Sequence, residues 1–254
     1  MTSEVMGEYL IEIKQVIRRS DQGVTRPFVC LDEHDRQLWV KGSASLARDL
    51  AAEWLCAQLA EEFGLPMADF DLVSVPEELI EYSVITDIAS LGSGTGFGSI
   101  HVTGASELDF GDIERVSAEL RADVLLFDYW VQNDDRFLGE KGGNPNLLWQ
   151  VTEEQLVMID HNCAFDVEFE NGKFFDNHVF GCGKLYWNVE YREKREQKLL
   201  GILRNLSDKL ANFPEEWFGD DEIRKIPLKS ELDRFEGVLR RVEVDPKGFW
   251  EVTA

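Results

Sequence analysis

The chain has 254 residues, of which 44% are hydrophobic and 11% are aromatic. This composition excludes an intrinsically disordered chain and predicts a globular protein that is large enough to bury a core. The 49 acidic and 26 basic residues give a formal net charge of −23. A surface this negative repels nucleic-acid backbones, so we expect no direct contact with DNA or RNA, and basic partner proteins are favoured.

The sequence also lacks the features of a secreted or membrane-spanning protein. No apolar run is long enough to cross a bilayer, and the first residues do not combine a basic patch with an apolar run. The four cysteines are too widely spaced to indicate a disulfide framework or a zinc site; they are Cys30, Cys56, Cys163 and Cys182. We therefore expect a reduced, cytoplasmic protein.

Short apolar runs bounded by turn residues predict a sheet in the N-terminal part of the chain. We place its strands at residues 8–19, 27–32, 37–41, 70–75, 82–88 and 96–102. The second and third strands form a hairpin, and Lys41 ends the third. Several glycines precede the last strand, but they do not lie between a strand and the start of a helix. They therefore indicate a flexible loop, not a dinucleotide-binding loop.

The most regular helical pattern covers residues 44–63. Apolar residues recur there every three or four positions, and Gly64 and Pro66 end the pattern. Glu53 lies beside the apolar stripe, where a buried acid needs a cationic partner. Lys41 is the natural candidate, since it ends the preceding strand. The alternative is that Glu53 lies at the rim of the helix and contacts water.

The C-terminal part of the chain is predicted to be mostly helical, with one hairpin. Helices are expected at residues 111–132, 190–212 and 221–242, and hairpin strands at 147–151 and 155–160. The first of these helices leads directly into the polar run N-D-D-R, which ends at Arg136.

Three polar side chains in this part of the chain stand beside apolar runs: Asp135, Asn146 and Asp160. A carboxylate at the end of an apolar strand must be paired, hydrogen-bonded or bound to a metal, because burying it alone is costly. Two carboxylates and an amide that converge suit phosphoryl transfer. One Asp orients the attacking hydroxyl, while an Asn and a second Asp hold magnesium on the phosphates. The alternative is a pair of hydrogen-bonded turns that flank a hairpin.

The runs N-D-D-R, N-P-N-L-L-W and I-D-H-N-C-A-F, in this order, resemble the HipA-like kinases. They are similar, more distantly, to the type II phosphatidylinositol 4-kinases. Earlier runs such as LWVKG and LAAEWLCAQLAEEFGLP extend the resemblance over residues 23–165. It implies an α+β, two-lobed protein-kinase-like fold. An antiparallel-sheet N-lobe is expected at residues 1–102 and a mostly helical C-lobe at 103–254.

The resemblance also implies roles for the residues of the polar runs. Spacing alone does not decide between Asp134 and Asp135, but the resemblance makes Asp135, directly before Arg136, the catalytic base. Arg136 orients a neighbouring carboxylate or loop carbonyl. Asn146 and Asp160 become the metal ligands. The loop between Asp135 and Asn146 is longer than in the usual kinase pattern, so the choice between Asn144 and Asn146 stays open.

Three earlier residues are implied to bind the nucleotide. Lys41 contacts the phosphates, and Glu53 pairs with Lys41. Gly23 belongs to the loop over the phosphates, although that loop has one glycine where a glycine-rich loop has several.

The expected function is an ATP- and Mg²⁺-dependent phosphotransferase. The resemblance implies a serine/threonine protein kinase of toxin or regulatory type, with a protein substrate and an antitoxin or other regulatory partner. Within the same fold, the acceptor could be a lipid or small molecule, or AMP could be transferred. A catalytically inactive binding module and an acidic DNA mimic are the alternatives from other classes.

Overall fold

The computed structural model describes residues 10–20, 26–218 and 227–251. Five strands in the N-terminal part of this range are β1 (Ile11–Arg19), β2 (Phe28–Asp32), β3 (Gln37–Lys41), β4 (Phe70–Val75) and β5 (Gly94–Ile100). They close into a barrel in the order β1-β2-β3-β5-β4. The pairings are antiparallel except for a short parallel contact of β1 with β4, where Ile11 lies opposite Val73.

The barrel has an apolar interior, and the alternation of side chains along β3 places Lys41 outside it. Leu38 and Val40 of β3 are buried inside it. Successive side chains of a strand point to opposite faces. Lys41 therefore points away from the barrel interior and towards the helix that follows, α1 (Ala47–Phe63).

Helix α1 confirms the prediction for residues 44–63, although it begins at Ala47. It ends at Gly64, whose φ of 74° is the left-handed conformation that glycine adopts without steric cost. Its buried side chains join the main core of the molecule, which also contains side chains of the C-terminal helices. The helix is therefore buried on most sides and shares its core with the C-lobe.

The C-lobe is mostly helical, as predicted. Its helices are α3 (Ala118–Val131), α4 (Asn171–Asn177), α5 (Val189–Leu203), α6 (Leu206–Ala211), α7 (Leu228–Leu239), α8 (Arg241–Val244) and α9 (Pro246–Trp250), while the short α2 (Glu77–Glu81) lies in the N-lobe. Its strands are β6 (Ala105–Glu107), β7 (Phe137–Gly139), β8 (Gly142–Asn144), β9 (Leu147–Gln150) and β10 (Gln155–Met158). Strands β7 and β8 form a hairpin, and β9 pairs with both β10 and β6. Among the described helices, none has the length and apolarity needed to span a bilayer.

The strand predicted at residues 82–88 is wrong. These residues form turns that lead into a 3-10 helix at Ile88–Ser90, and Val84 is 99% exposed. The physical reason is the closed barrel. Strand β4 already pairs with β1 on one side and β5 on the other, so no edge is left for another strand.

Two predicted helices are shorter than the apolar periodicity suggested, and a third lies partly outside the described residues. The helix expected at 111–132 is a 3-10 helix (Phe110–Arg115) followed by α3, because the Ser117 hydroxyl accepts a hydrogen bond from the backbone N–H of Leu120 and caps a new helix. The helix expected at 190–212 is divided into α5 and α6. The described part of the last one is α7 and α8.

A C-lobe segment also contacts the barrel. The 3-10 helix Glu215–Phe218 approaches Thr95 of β5, beyond the point where β3 ends. The Trp217 indole N–H donates to the Thr95 carbonyl at 3.0 Å, and the Thr95 N–H donates to the Glu216 carboxylate. These bonds satisfy the backbone N–H and carbonyl of Thr95, where β5 extends beyond the end of β3.

We predict that Leu55→Ala destabilises the protein by about 2–5 kcal/mol, because Leu55 of α1 is fully buried and its removal leaves a cavity. Leu185→Ala is the matched control, since Leu185 is 89% exposed and the change is expected to stay within about 0.5 kcal/mol. Urea unfolding measures both free energies. Equal unfolding midpoints for the two variants would contradict the assignment of α1 to the core.

Candidate active site

Three charged side chains from distant parts of the chain meet between the barrel and the C-lobe. Lys41 from β3 donates hydrogen bonds to Glu53 of α1 and to Oδ1 of Asp160, the latter at 2.8 Å. The side chains of Lys41 and Glu53 are 10% and 3% exposed, whereas that of Asp160 is 24% exposed. Glu53 is therefore buried and paired, and the alternative of a solvated rim position is wrong.

The charges of this cluster depend on one another. Burial by itself would lower the pKa of Lys41, but Glu53 and Asp160 outweigh it and the pKa is raised overall. Burial by itself would raise the pKa of Asp160, but Lys41 outweighs it and the pKa is lowered. For Glu53, burial dominates and raises the pKa to about 7. Lys41 and Asp160 thus stay ionised at neutral pH.

Asp135 lies at the end of the turn that follows α3. Its Oδ2 accepts hydrogen bonds from Nδ2 of Asn144 at 3.0 Å and from Nδ2 of Asn146 at 3.1 Å. Both candidate asparagines therefore contact Asp135. Burial is the largest influence on Asp135 and raises its pKa, against the lowering effect of the two amides. The preceding Asp134 is exposed.

Asn146 and Asp160 share an unusual backbone conformation. Their φ angles are 47° and 56°, in the left-handed region. Asn and Asp enter this region more readily than other non-glycine residues. The two residues are also linked through the backbone, because the N–H of Ile159 donates to the Asn146 carbonyl at 3.1 Å. Such conformations cost free energy and persist only where neighbouring contacts hold them.

Arg136 supplies those contacts. It is fully buried, and its Nη1 donates to the carbonyl oxygens of Asn146 and Ile159, the second at 3.0 Å. Its Nη2 donates to the imidazole Nε2 of His161 at 2.7 Å. Arg136 thus binds the backbone on both sides of the site, next to Asn146 and next to Asp160.

A buried carboxylate balances the charge of Arg136. Asp128 of α3 accepts hydrogen bonds from Arg136 Nε at 2.8 Å, from Asn133 Nδ2 at 2.9 Å and from His178 Nε2 at 3.1 Å. The backbone N–H of Phe180 donates to Nδ1 of His178, so the imidazole proton lies on Nε2, facing Asp128. Burial by itself would raise the pKa of Asp128, but Arg136 and His178 lower it overall.

Sequence reasoning missed Asp128, Asn133 and His178 as members of the site. One signal was available for Asp128, because it is a lone acid inside the apolar run L-L-F-D-Y-W-V. No short-range pattern pointed to His178, which lies 50 residues further along the chain.

The imidazole of His161, directly after Asp160, contacts Arg136. Its Nε2 accepts from Arg136, so the ring is neutral with its proton on Nδ1. Burial, followed by the charge of Arg136, lowers the pKa of His161 to about 3. Its Nδ1 has no hydrogen-bond partner within the described part of the chain. The backbone N–H of His161 donates to Glu53 Oε2 at 2.9 Å.

The structure therefore brings Lys41, Glu53 and Asp160 into one cluster, and Asp135 and Asn146 into a second one beside it. Arg136 links the two clusters, because it binds the backbone carbonyls of Asn146 and Ile159. The remaining candidate, Gly23, lies outside the described residues.

Comparisons with known proteins agree on the class of fold. A family model described as "HipA-like kinase" matches residues 13–253. The search of curated proteins gave no match. Among solved structures, the Helicobacter pylori proinflammatory kinase CtkA is similar with a TM-score of 0.54 and 12% identity, over 97% of this chain and 100% of that chain. A Golgi casein kinase gives a TM-score of 0.43 at 12% identity, over 96% and 76%. Of these two structures, CtkA has a TM-score above 0.5, and at 12% identity it shows a shared fold alone.

We predict that His178 contributes a fall in the free energy of unfolding as the pH drops below about 6.5, the ordinary pKa of histidine, against the opposite contribution of Glu53, whose pKa is raised. Burial lowers the pKa of His178, so the unfolded chain takes up a proton there that the folded protein does not. In His178→Gln the fall between pH 7.5 and 5.5 should be shallower, as measured by urea unfolding at each pH. His34→Gln is the control, because His34 is exposed. A slope unchanged in His178→Gln would contradict the prediction.

Proposed function

The chain belongs to the HipA-like kinase family, and we propose that it transfers the γ-phosphoryl group of ATP to a serine or threonine of a protein substrate, with Mg²⁺ at the nucleotide. One observation carries the proposal. Lys41, held by Glu53, lies 2.8 Å from Asp160, and Asp135 lies close enough to Asp160 for the two charges to interact. A cation for phosphates, a carboxylate for a metal and a carboxylate for a hydroxyl thus share one site.

Asp135 is proposed as the catalytic base. Both asparagine amides bind its Oδ2, and Oδ1 accepts no hydrogen bond from the described residues. That oxygen is free to accept the proton of an attacking hydroxyl. Because burial raises the pKa of Asp135, its carboxylate is a better proton acceptor than an exposed aspartate. The two amides fix the direction in which the free oxygen points.

Asp160 and one asparagine are proposed to hold Mg²⁺. Magnesium binds oxygen ligands and is commonly held by one or two carboxylates together with the phosphates of a substrate. Asp160 offers a carboxylate that is partly exposed, and Asn146 and Asn144 use Nδ2 on Asp135, which leaves their Oδ1 atoms as acceptors. Within the described residues, no three His, Cys, Asp or Glu side chains form a metal cluster. These donors therefore suit an ion shared with the nucleotide, where it would neutralise phosphate charge.

Lys41 is proposed to bind a phosphate oxygen. An ammonium group has three donors, and Glu53 and Asp160 occupy two of them. The third remains for the nucleotide. The Glu53 contact keeps the lysine at the end of β3, so that binding does not have to order a flexible side chain.

The protein substrate is proposed to be basic, because the chain carries a net charge of −23. An antitoxin or another regulatory protein is the partner that the family suggests. Phosphorylation of a lipid or small molecule, and transfer of AMP, would use the same side chains. Labelling with γ-labelled and α-labelled ATP distinguishes these reactions.

We predict that Asp135→Asn lowers phosphoryl transfer by about 10²–10⁴-fold, since an amide cannot accept the proton. Binding of ATP with Mg²⁺ should persist. The measurement is incorporation of label from γ-labelled ATP into a basic protein mixture such as histones, with ATP hydrolysis followed in parallel. Asp176→Asn, an exposed site on α4, is the control.

Label from α-labelled ATP on the acceptor would identify AMP transfer instead. Full transfer activity in Asp135→Asn would exclude Asp135 as the base, and label in an added lipid extract but not in protein would change the acceptor class.

We predict that Asp160→Asn abolishes the Mg²⁺-dependent part of the thermal stabilisation by ATP. In the wild type, ATP with Mg²⁺ should raise the melting temperature more than ATP with EDTA, because bound ligand stabilises the folded state. The variant removes the anionic metal ligand and keeps the shape of the side chain. Asp176→Asn should behave as the wild type. A variant that keeps the Mg²⁺-dependent shift would argue against Asp160 as a ligand.

A further inference from the structure

The segment that follows Asp160 is bound by a side chain of α1. Arg48, in the first turn of this helix, donates from Nη1 to the carbonyl of Asn162 and from Nη2 to the carbonyls of Ala164 and Phe165, the last at 3.2 Å. These three carbonyls lie 114–117 residues from Arg48 along the chain. Its side chain is 24% exposed, so most of the guanidinium is enclosed by the segment that it binds.

The same segment is bound from the other side by α7. Arg234 also donates to the carbonyl of Phe165. The rings of Phe165 and Phe235 are stacked, with centroids 4.0 Å apart and planes 13° apart. The Arg48 guanidinium lies 5.8 Å from the centroid of the Phe235 ring. Phe165 has a φ of 59°, so these contacts hold a third left-handed residue close to the site.

Side chains of helix α1 therefore form hydrogen bonds with both ends of the segment 161–165. Glu53 accepts the backbone N–H of His161, directly after Asp160, and Arg48 binds the carbonyls up to Phe165. Glu53 also pairs with Lys41. Lys41 and the segment after Asp160 are therefore both bound to α1. The segment also makes few other polar contacts, among them the N–H of Phe165 to the Val131 carbonyl at 2.7 Å.

Phosphorylation cannot supply the order in this segment. From residue 161 to residue 185 the sequence contains no serine, threonine or tyrosine. An added phosphate, which can order a loop by pairing with arginines, has no acceptor here. Arg48 and Arg234 bind backbone carbonyls directly, so the segment is held without modification.

We propose that Arg48 is a positioning residue for phosphoryl transfer, which sets Asp160 in its metal-binding position by fixing residues 162–165 to helix α1. The inference rests on the proposed function, because it assigns a purpose to the geometry of Asp160. The guanidinium of Arg48 binds backbone carbonyls and the carboxylate of Asp49, so its proposed role is exerted through the position of Asp160. Outer partners of metal ligands commonly change metal affinity or activity by about 10–100-fold when they are removed.

The test compares Arg48→Gln with Arg204→Gln. Both changes remove one positive charge, but Arg204 is exposed and its side chain makes no hydrogen bond or ion pair in the described part of the chain. We expect Arg48→Gln to raise the Mg²⁺ concentration for half-maximal ATP binding by about 10–100-fold. Binding of ATP in EDTA should change little. Arg48→Lys should recover part of the loss, since one ammonium can replace some of the three carbonyl bonds.

Hydrogen exchange gives a second readout that needs no activity. In Arg48→Gln, the backbone amides of Ala164, Phe165 and Asp166 should exchange faster, while those of α3 stay protected. If Arg48→Gln does not fold, Arg48→Lys carries the same two measurements. A merely structural role would lower the melting temperature without changing the Mg²⁺ requirement of the folded protein.

The outcomes separate this inference from the proposed function. A wild type that binds ATP in a Mg²⁺-dependent way, beside an Arg48→Gln variant with the same Mg²⁺ requirement and the same exchange, overturns only the role of Arg48. A wild type that binds no ATP with Mg²⁺ overturns the proposed function, and the positioning role falls with it.

Discussion

The buried ion pair between Arg136 and Asp128 is the interaction on which the rest of the site depends. Neither side chain is accessible to solvent. Burying two charges costs several kcal/mol per ion, and the cost is offset only when the remaining donors and acceptors are also used. They are used here, because Asn133 and His178 complete the shell of Asp128. Helix α3, the turn after it and the segment around His178 are thereby joined in one network.

The ion pair matters for the site because of what Arg136 does with its other nitrogens. They bind the carbonyls of Asn146 and Ile159 and the ring of His161. Asn146 and Asp160 both adopt left-handed backbone conformations, which few other contacts would sustain. Because Asp128 holds Arg136 in place, Arg136 can fix the backbone beside Asn146 and Asp160 without contacting their side chains. Loss of either charged partner would leave the other buried and unpaired.

The sequence predicted local features of the site well and long-range ones poorly. The partnership of Lys41 with Glu53 followed from a lysine at a strand end and an acid on an apolar helix face. The strand at residues 82–88 was predicted wrongly, because apolar alternation does not reveal that the barrel is closed. The contact of His178 with Asp128 spans 50 residues and the contacts of Arg48 span 114–117 residues, and one sequence holds no signal for such pairs. The resemblance to a family predicted which residues form the site, whereas the hydrogen bonds between them are seen only in the folded structure.

The two cations of the site, Arg136 and Lys41, differ in a way that matches their residue types. All three guanidinium nitrogens of Arg136 bind protein acceptors, and a planar fork is suited to several fixed carbonyls and one carboxylate at once. Lys41 is a point charge with one donor left after Glu53 and Asp160. A ligand can therefore recruit Lys41 without breaking the pair that holds it, but it could recruit Arg136 only by releasing the backbone of the site. Under the proposed function, this difference gives the arginine the orientation of the loops and leaves the lysine to bind the nucleotide.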